Sequence, residues 1–527
     1  MHFTWDFPYP SQRMPILAEN VVATSQPLAA EAGLHVLRAG GNAVDAALAT
    51  AITLTVVEPT SNGIGSDAFA IVWDGQRLWG LNASGRSPKA LSPERFAGMD
   101  QMPTVGWDPV TVPGAVSAWV ELWRRFGRMP FAALFEAAIH YARDGFLVSP
   151  ITARAWRHAE QRYAQFPSFA EAFLPDGWAP RPGERFRCPA QADTLALIAK
   201  TEGEAFYRGE LAARIAAYAR ETGGLLTEED MAAHAPLWVE PLAQDYRGYH
   251  LHEIPPNGQG LAALIALGIL QHFDLARYPV DSADSVHLQV EAMKLAFAEA
   301  YRHIADPAWM EVPPQALLAP DFLAQRAQEI DLAQAGHPTS ALPTDHGTVY
   351  LTAADGEGMM VSYIQSNYMG FGSGIVVPGT GIALQNRGAG FRLEAGHPNQ
   401  VAGGKRPYHT IIPGFVTRDG QPVMSFGVMG GPMQPQGHVQ MMVRIFDYGQ
   451  NPQAASDGPR WFVDEAFELW LEPGFEPTVI AELRRRGHVV HEAQPPGRFG
   501  GAQLIYRLET GYCAGTDWRK DGQAVGF

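Results

Sequence analysis

The chain has 527 residues, of which 46% are hydrophobic and 18% charged, and its formal net charge is −16 at pH 7. Because Lys and Arg are intermingled with acidic residues, the sequence offers no basic stripe for nucleic acid or for a membrane surface, and we expect neither as a partner. Its two cysteines, Cys188 and Cys513, are too few for a disulfide framework and are predicted to be free thiols.

The first residues, MHFTWDFPYP, carry no basic segment followed by an apolar run, and no stretch of the sequence is long and apolar enough to cross a bilayer. We therefore expect a cytoplasmic protein. The motifs GXSXG, HEXXH and CXXC do not occur, so serine-hydrolase and zinc chemistry lack support, and no metal or cofactor is predicted.

Two helices are predicted near the start of the chain. Residues 25–39 have helical periodicity and are closed by Gly40 and Gly41, and residues 43–57 form a second helix that ends at Pro59.

A hairpin and a long helical region follow. AFAIVW at 68–73 and RLWGL at 77–81 flank the turn DGQ, which predicts a hairpin that delivers Arg86 to the site. Helical periodicity then dominates residues 115–335, including a helix over 284–303.

Residues 331–347 are rich in Ala and Pro, polar and poorly patterned. Such a composition is typical of a segment awaiting cleavage, and an ordinary surface linker would have the same appearance.

A second hairpin follows this segment. Residues 348–353 alternate as a strand does, the turn DGEG stands at 355–358, and MMVSYI at 359–364 is predicted to be the returning strand. Thr348 therefore lies at the mouth of a hairpin.

A threonine hydroxyl is a weak nucleophile unless a base lies beside it. The threonine's own α-amino group is one such base, and it exists only after the preceding peptide bond has been cut. Gly347, which has no Cβ, suits that cut because it can hold a twisted conformation in which the Thr348 hydroxyl attacks the Gly347 carbonyl. Cleavage would give two chains, 1–347 and 348–527. A threonine at a strand start is also common for purely structural reasons.

Further segments carry a wider resemblance. They are TSQPLA at 24–29, AGGNAVDAA at 39–47, PTSNGIGS at 59–66, VPG at 112–114, PPNGQG at 255–260, EAMKLAFAE at 291–299, KRPYHT at 405–410 and MGGP at 429–432. In their order and spacing the chain resembles the γ-glutamyltransferase family of N-terminal-nucleophile hydrolases along nearly its whole length.

The resemblance implies an α+β fold, namely a four-layer αββα sandwich. A helix-rich fragment 1–347 and a β-rich fragment 348–527 would form one compact unit after self-cleavage. The two chains of the precursor would remain together as a heterodimer. A dimer of such heterodimers is a further assembly that the resemblance allows.

The resemblance also assigns roles to particular residues. Thr348 matches the nucleophile, and Gly430 and Gly431 match paired glycines whose N–H groups hold the oxyanion, a task that suits backbone donors without side chains. Arg86, in NASGRSP, matches the arginine that binds the substrate's α-carboxylate, which a guanidinium can grip through two parallel bonds.

Other residues are assigned by position. Ser366 and Thr352 are candidate partners of the nucleophile's hydroxyl in the family's strand pair, and Asn386 is a candidate for orienting the acyl group. For His346 and His409 we expect a hydrogen-bonding or packing role rather than that of a general base.

The chain departs from the family pattern where the substrate's amine should bind. Gly390 stands in place of the amine-binding aspartate, and Arg387 stands where a neutral amide is expected. Tyr408, His409 and Thr410 replace a leucine and two serines. The pocket has therefore lost a negative group and gained a positive one.

A site with Arg86 and Arg387 and without that aspartate should favour an amide whose acyl part bears a carboxylate but no ammonium group. Two branches of the family fit this description. One is the oxamate amidohydrolases, which release oxalate and ammonia in purine catabolism and which the motifs favour. The other is the glutaryl-type cephalosporin acylases. A γ-glutamyltransferase or glutathione hydrolase with an altered amine site, and a non-cleaving relative that only binds, remain alternatives.

Overall fold

The alternating segments of the sequence form strands in the computed structural model, which describes residues 11–338, 347–493 and 498–527. The strands are β1 Ile16–Ala18, β2 Val21–Thr24, β3 Asp67–Trp73, β4 Leu78–Asn82, β5 Phe146–Leu147, β6 Arg185–Phe186, β7 Leu237–Val239, β8 Leu242–Tyr246, β9 Tyr249–Glu253, β10 Gly347–Ala354, β11 Met360–Tyr368, β12 Val376–Val377, β13 Ile382–Ala383, β14 Gly414–Arg418, β15 Gln421–Met429, β16 Trp461–Val463, β17 Leu469–Leu471, β18 Val490–Glu492, β19 Gly501–Arg507, β20 Tyr512–Thr516 and β21 Gln523–Gly526.

The periodic apolar segments form helices. The α-helices are α1 Pro27–Arg38, α2 Ala43–Val57, α3 Ala115–Phe126, α4 Glu136–Asp144, α5 Pro150–Tyr163, α6 Pro167–Phe173, α7 Pro189–Thr201, α8 Glu204–Arg208, α9 Glu210–Thr222, α10 Glu228–Ala232, α11 Gly260–Leu270, α12 Ala283–His303, α13 Pro314–Leu317, α14 Pro320–Ala327, α15 Met433–Phe446, α16 Pro452–Asp457 and α17 Pro477–Arg485.

Two large antiparallel sheets organise the strands. Sheet A has the order β1-β20-β19-β15-β14-β9-β8, and sheet B has the order β21-β2-β10-β11-β3-β4-β7. The strands on either side of Gly347 are interleaved, because β10 pairs with β2 and β11 pairs with β3. Each sheet thus combines strands from both sides of the expected cleavage point.

The sheets pack face to face and helices cover their outer faces. Strand β10 lies against β15 and β19, while α1 and α2 cover sheet B, and α11 and α15 cover sheet A. The two sheets and the two helical coverings form four layers, and apolar side chains fill the three spaces between them. Examples are Leu48 under α2, Phe415 between the sheets and Leu264 under α11. The predicted four-layer αββα sandwich of the α+β class is confirmed.

The hairpin that carries the expected nucleophile lies in the centre of sheet B. All residues of β10 and β11 are buried, which suits their aromatic and β-branched composition. Val349 packs on the helical side of the sheet and Tyr350 packs between the sheets. Because side chains alternate along a strand, Thr348 is directed toward the space between the sheets.

The predicted helices at 25–39, 43–57 and 284–303 are found as α1, α2 and α12, with bounds shifted by no more than two residues. Helix α2 begins where it does because Asn42 and Asp45 form a capping box, each side chain accepting the other's backbone N–H.

The helical prediction for the middle of the chain was incomplete. It covered β8 and β9, a hairpin that forms one end of sheet A. This hairpin is polar and only half-buried, so its residues carry little of the apolar alternation that identifies a strand.

Within the described parts of the chain, no helix combines the length and the apolar character needed to cross a membrane. Residues 339–346 of the segment expected to await cleavage, His346 among them, lie outside the described residues.

Candidate active site

Thr348 lies at the start of β10 with its side chain almost fully buried, at 3% exposure. Its hydroxyl donates a hydrogen bond to Ser366 Oγ on β11 at 3.3 Å. On the other side, Gln434 Nε2 at the start of α15 lies 3.5 Å from Thr348 Oγ1. The hydroxyl is therefore held between a strand neighbour in sheet B and a helix that covers sheet A.

Ser366 Oγ is the centre of a small network. It donates to the carbonyl oxygen of Gly347 at 2.6 Å, and the backbone N–H of Tyr368 donates to it at 2.8 Å. Arg387 Nη2 also donates to it at 3.1 Å. The structure thus places Ser366 against both the Thr348 hydroxyl and the carbonyl of the preceding peptide bond.

Gly347 is required by close packing of the backbone rather than by a positive φ angle. Gly347 does not have a positive φ angle; instead, a Cβ on it would lie 2.6 Å from the backbone nitrogen of Gly370, so close packing requires the glycine. The unusual angle belongs to Tyr368, which pairs with Gly347 and has a φ of 76°. Such angles in non-glycine residues cluster at functional sites.

Gly430 and Gly431 form the turn between β15 and α15. Their φ angles are 114° and 58°, and the N–H groups of both donate no hydrogen bond to any acceptor in the described residues. Successive N–H groups in such a turn, at the positive end of a helix, form a concavity suited to an anion. The turn packs on Gly500, whose Cα would lie 3.1 Å from a Cβ at Gly430.

Arg387 is fully buried beside this cluster. Its Nη1 donates to Thr410 Oγ1 at 2.7 Å, its Nη2 contacts Ser366, and its guanidinium lies 4.2 Å from the centre of the Tyr368 ring. Burial lowers the pKa of Arg387 to about 10, so it stays charged at neutral pH. Its Nε has no partner within the described residues.

His409 has a hydrogen-bonding role rather than a place beside Thr348. Its Nε2 lies 3.1 Å from Asp67 Oδ2, and both side chains are fully buried. Burial lowers the pKa of His409 well below its usual value and raises that of Asp67 to about 7. A neutral His409 therefore donates to Asp67, while its Nδ1 accepts the Ile411 N–H at 3.4 Å.

Gln259, a residue that the sequence analysis did not single out, links two parts of the site. Its Nε2 donates to the carbonyl oxygens of Thr410 at 2.6 Å and Gly431 at 2.8 Å, and its Oε1 accepts the Tyr408 hydroxyl at 3.0 Å. Tyr408 thus supports Gln259. The PPNGQG segment contained this residue, but only the folded chain shows what its amide contacts.

The structure changes one expected side-chain role, and the role of Asn386 stays a prediction. The Thr352 hydroxyl lies 2.6 Å from Ser425 Oγ and bonds to the Val361 carbonyl, four residues along β10 from the nucleophile, so the prediction that it partners the Thr348 hydroxyl was wrong. The Asn386 amide bonds to the backbone of Met369 and Thr104. Its contacts therefore order the chain around the site.

Arg86 lies in a different cavity. Its Nη1 donates to Asp306 Oδ2 at 2.9 Å, and its side chain is 46% exposed. It lines a surface pocket of about 270 Å³ together with Lys89, Arg406 and Asp230, so three cations and one carboxylate line the pocket. His234 also lines it but is neutral at neutral pH, because burial lowers its pKa to about 3.

Thr348, Gly430 and Gly431 are not among the residues that line the Arg86 pocket. Asp67 lies between the two regions: its Oδ1 accepts the N–H of Gly85 at 3.2 Å, and its Oδ2 contacts His409.

One group of potential metal ligands lies in the outer helical layer. His287, Glu291 and His488 offer ligand atoms within 4.8 Å of one another. The His287 and His488 rings are joined at 2.8 Å, His287 Nε2 bonds to the Asp331 carbonyl, and the Lys294 ammonium contacts both Glu291 and His488. Hydrogen bonds therefore satisfy the group, and the lysine's charge opposes a cation there.

Comparison with known proteins gives a consistent set of relatives. A family model described as gamma-glutamyltranspeptidase matches residues 29–527. The oxamate amidohydrolase proenzyme of Klebsiella pneumoniae is 38% identical over 515 residues, which cover 95% of this chain and 97% of that protein. The glutathione hydrolase-like proenzyme of Bacillus subtilis is 37% identical over 524 residues, which cover 97% and 98%. A crystal structure of a cephalosporin acylase from Bacillus halodurans is similar over 100% of this chain and 99% of that one, with a TM-score of 0.95 and 50% identity.

Proposed function

The chain belongs to the gamma-glutamyltranspeptidase family of N-terminal-nucleophile hydrolases, and from that membership we propose that it is a self-processing amidohydrolase with Thr348 as its nucleophile. Cleavage between Gly347 and Thr348 would free the α-amino group that serves as the base. The proenzyme names of the two relatives support this step.

The interleaved sheets support a stable heterodimer of the fragments 1–347 and 348–527. Strand β10 of the second fragment pairs with β2 of the first, and β11 pairs with β3. In sheet A, β14 pairs with β9. Separation of the fragments would expose both sheet edges and the apolar layers, so we expect them to remain together after cleavage.

In the proposed turnover, the freed Thr348 amine accepts the proton of its own hydroxyl, and the oxygen attacks the substrate's amide carbonyl. The N–H groups of Gly430 and Gly431 hold the oxyanion, since neither is engaged by another group in the described part of the chain. Ammonia or an amine leaves with the proton, and water then releases the acid from Thr348.

The observation that carries the substrate class is the buried charge of Arg387, joined to Thr348 through Ser366 alone. A guanidinium so placed suits an acyl group with a carboxylate near the scissile amide. An ammonium group there would meet a like charge without the aspartate that Gly390 replaces. We therefore propose a carboxylate amide without an α-amino group, with oxamate as the leading candidate.

A longer substrate is the second candidate. Arg86 lines a surface pocket that neither Thr348 nor the two glycines line, and Lys89 and Arg406 are further cations in it. A dicarboxylic monoamide such as a glutaryl amide could extend toward it. The 50% identity to a cephalosporin acylase supports this alternative.

A matched pair of substrates tests the missing amine site. Glutaryl and γ-glutamyl p-nitroanilide differ only in the α-ammonium group, and we expect kcat/KM for the glutaryl compound to be at least about 10-fold higher, because a like-charge contact costs several kcal/mol. The release of p-nitroaniline measures both. Faster turnover of the γ-glutamyl compound would contradict the proposed substrate class.

The length of the substrate's acyl group is tested separately, by comparing the release of ammonia from oxamate and from the monoamide of glutaric acid. A preference for oxamate supports Arg387 as the carboxylate partner, and a preference for the longer amide supports Arg86.

A further inference from the structure

The carbonyl oxygen of Gly347 is held by a chain of donors that ends in a buried cation. Ser366 Oγ donates to that oxygen at 2.6 Å, and Arg387 Nη2 donates to Ser366 Oγ at 3.1 Å. We propose that Arg387 is a positioning residue for self-cleavage, and that Ser366 and Arg387 together stabilise the negative charge that develops on the Gly347 oxygen. The inference rests on the proposed cleavage between Gly347 and Thr348.

The chemistry of the step requires such a group. The Thr348 oxygen bonds to the Gly347 carbonyl carbon, and the carbonyl oxygen becomes negative. The C–N bond to Thr348 then breaks as the proton from the hydroxyl passes to the leaving nitrogen, which gives an ester. Water hydrolyses the ester to a Gly347 carboxylate and regenerates the Thr348 hydroxyl beside its free amine. No other reactant is needed.

The surroundings of Arg387 strengthen its effect on this oxygen. The guanidinium and Ser366 are both fully buried, so water does not screen the charge, and interactions with it are stronger than in solvent. The guanidinium's other contacts are the neutral Thr410 hydroxyl and the Tyr368 ring. The buried Asp67 carboxylate also attracts the Arg387 charge, but no hydrogen bond joins the two side chains within the described residues.

The arrangement also separates two oxyanion sites. The Gly347 oxygen faces Ser366 on β11 in sheet B, whereas the free N–H groups of Gly430 and Gly431 lie at the end of β15 in sheet A. Thr348 stands between them, in contact with Ser366 on one side and with Gln434, just after the glycines, on the other. We therefore assign self-cleavage to the first site and turnover to the second.

The test measures the rate of self-cleavage in newly synthesised protein. Intact mass follows the loss of the uncleaved chain over time. Arg387→Met removes both the charge and the donor to Ser366 and should slow self-cleavage about 100-fold, the lower end of the effect of losing a direct oxyanion donor, because Ser366 remains. Arg387→Gln keeps a neutral donor and should slow it about 10-fold, since charge-assisted bonds are roughly twice as strong as neutral ones. Arg387→Lys should be the fastest of the three because it keeps the charge.

Two controls separate this role from a structural one. The same Arg387 changes made in a Thr348→Ala chain, which stays whole, report by thermal denaturation whether the precursor folds. Hydroxylamine cleaves an ester but not an amide, so it should not restore the rate of Arg387→Met if the slow step is formation of the ester.

The outcomes are distinct. If the wild-type chain stays uncut, the proposed self-processing function itself is disproved. If the wild type is cut and folded Arg387→Met is cut equally fast, only the role of Arg387 is overturned. Rescue of that variant by hydroxylamine also overturns this role.

Discussion

Purified wild-type protein is expected to consist of two fragments, 1–347 and 348–527, whereas Thr348→Ala remains one chain of 527 residues and has no amidase activity. The alanine removes the hydroxyl of Thr348, which is hydrogen-bonded to Ser366, so neither the ester of self-cleavage nor the acyl-enzyme of turnover can form. Intact mass under denaturing conditions, followed by assay of the same samples, measures both losses.

Two matched variants sharpen this result. Thr348→Ser keeps a hydroxyl and should still be cut. Thr352→Val changes a threonine of the same strand whose hydroxyl is bound to Val361 and lies against Ser425, and it should be cut as wild type is. A folded wild-type chain that stays whole would disprove the assignment of Thr348 and favour the relative that only binds.

The sequence predicted those features that depend on neighbouring residues. Periodicity and end signals located α1 and α2, because the Asn42 cap and the glycines after α1 act within a few residues. The hairpin of β10 and β11 was predicted equally well, because its strands and turn are neighbours in the sequence. The chemistry proposed for it rests on one residue type, since threonine carries its own base once its amine is free.

The features that depend on distant residues could not be predicted in the same way. From the sequence, Ser366 and Thr352 were equivalent candidates for the partner of the Thr348 hydroxyl. Only the register of β10 against β11 and the position of the facing strand β15 distinguish them. Gln259 and Gln434 reach the site from helices that pack against sheet A. Arg86 was expected to bind the substrate's carboxylate; it lines a pocket that Thr348 does not line, and its role stays a prediction.

The second large effect is expected at Gly430. Gly430→Ala should still cleave itself at a rate within a few-fold of wild type but should lose about 100- to 1,000-fold in kcat/KM on its best substrate. Its φ of 114° is unfavourable for alanine, and an added Cβ would press on Gly500, so the turn must shift and its N–H groups move away from the oxyanion. Intact mass and steady-state kinetics on one preparation separate the two steps.

Gly420→Ala is the matched control for backbone strain. Gly420 lies in the turn at the opposite end of β15, has a φ of 72° and has open space around a Cβ, so its alanine variant should lose some thermal stability but keep its activity. If Gly430→Ala retains full turnover, the glycine pair does not hold the oxyanion. If a folded Gly430→Ala chain fails to cut itself, the same donors serve both reactions, and the separation between a Ser366–Arg387 site for maturation and a glycine site for catalysis does not hold.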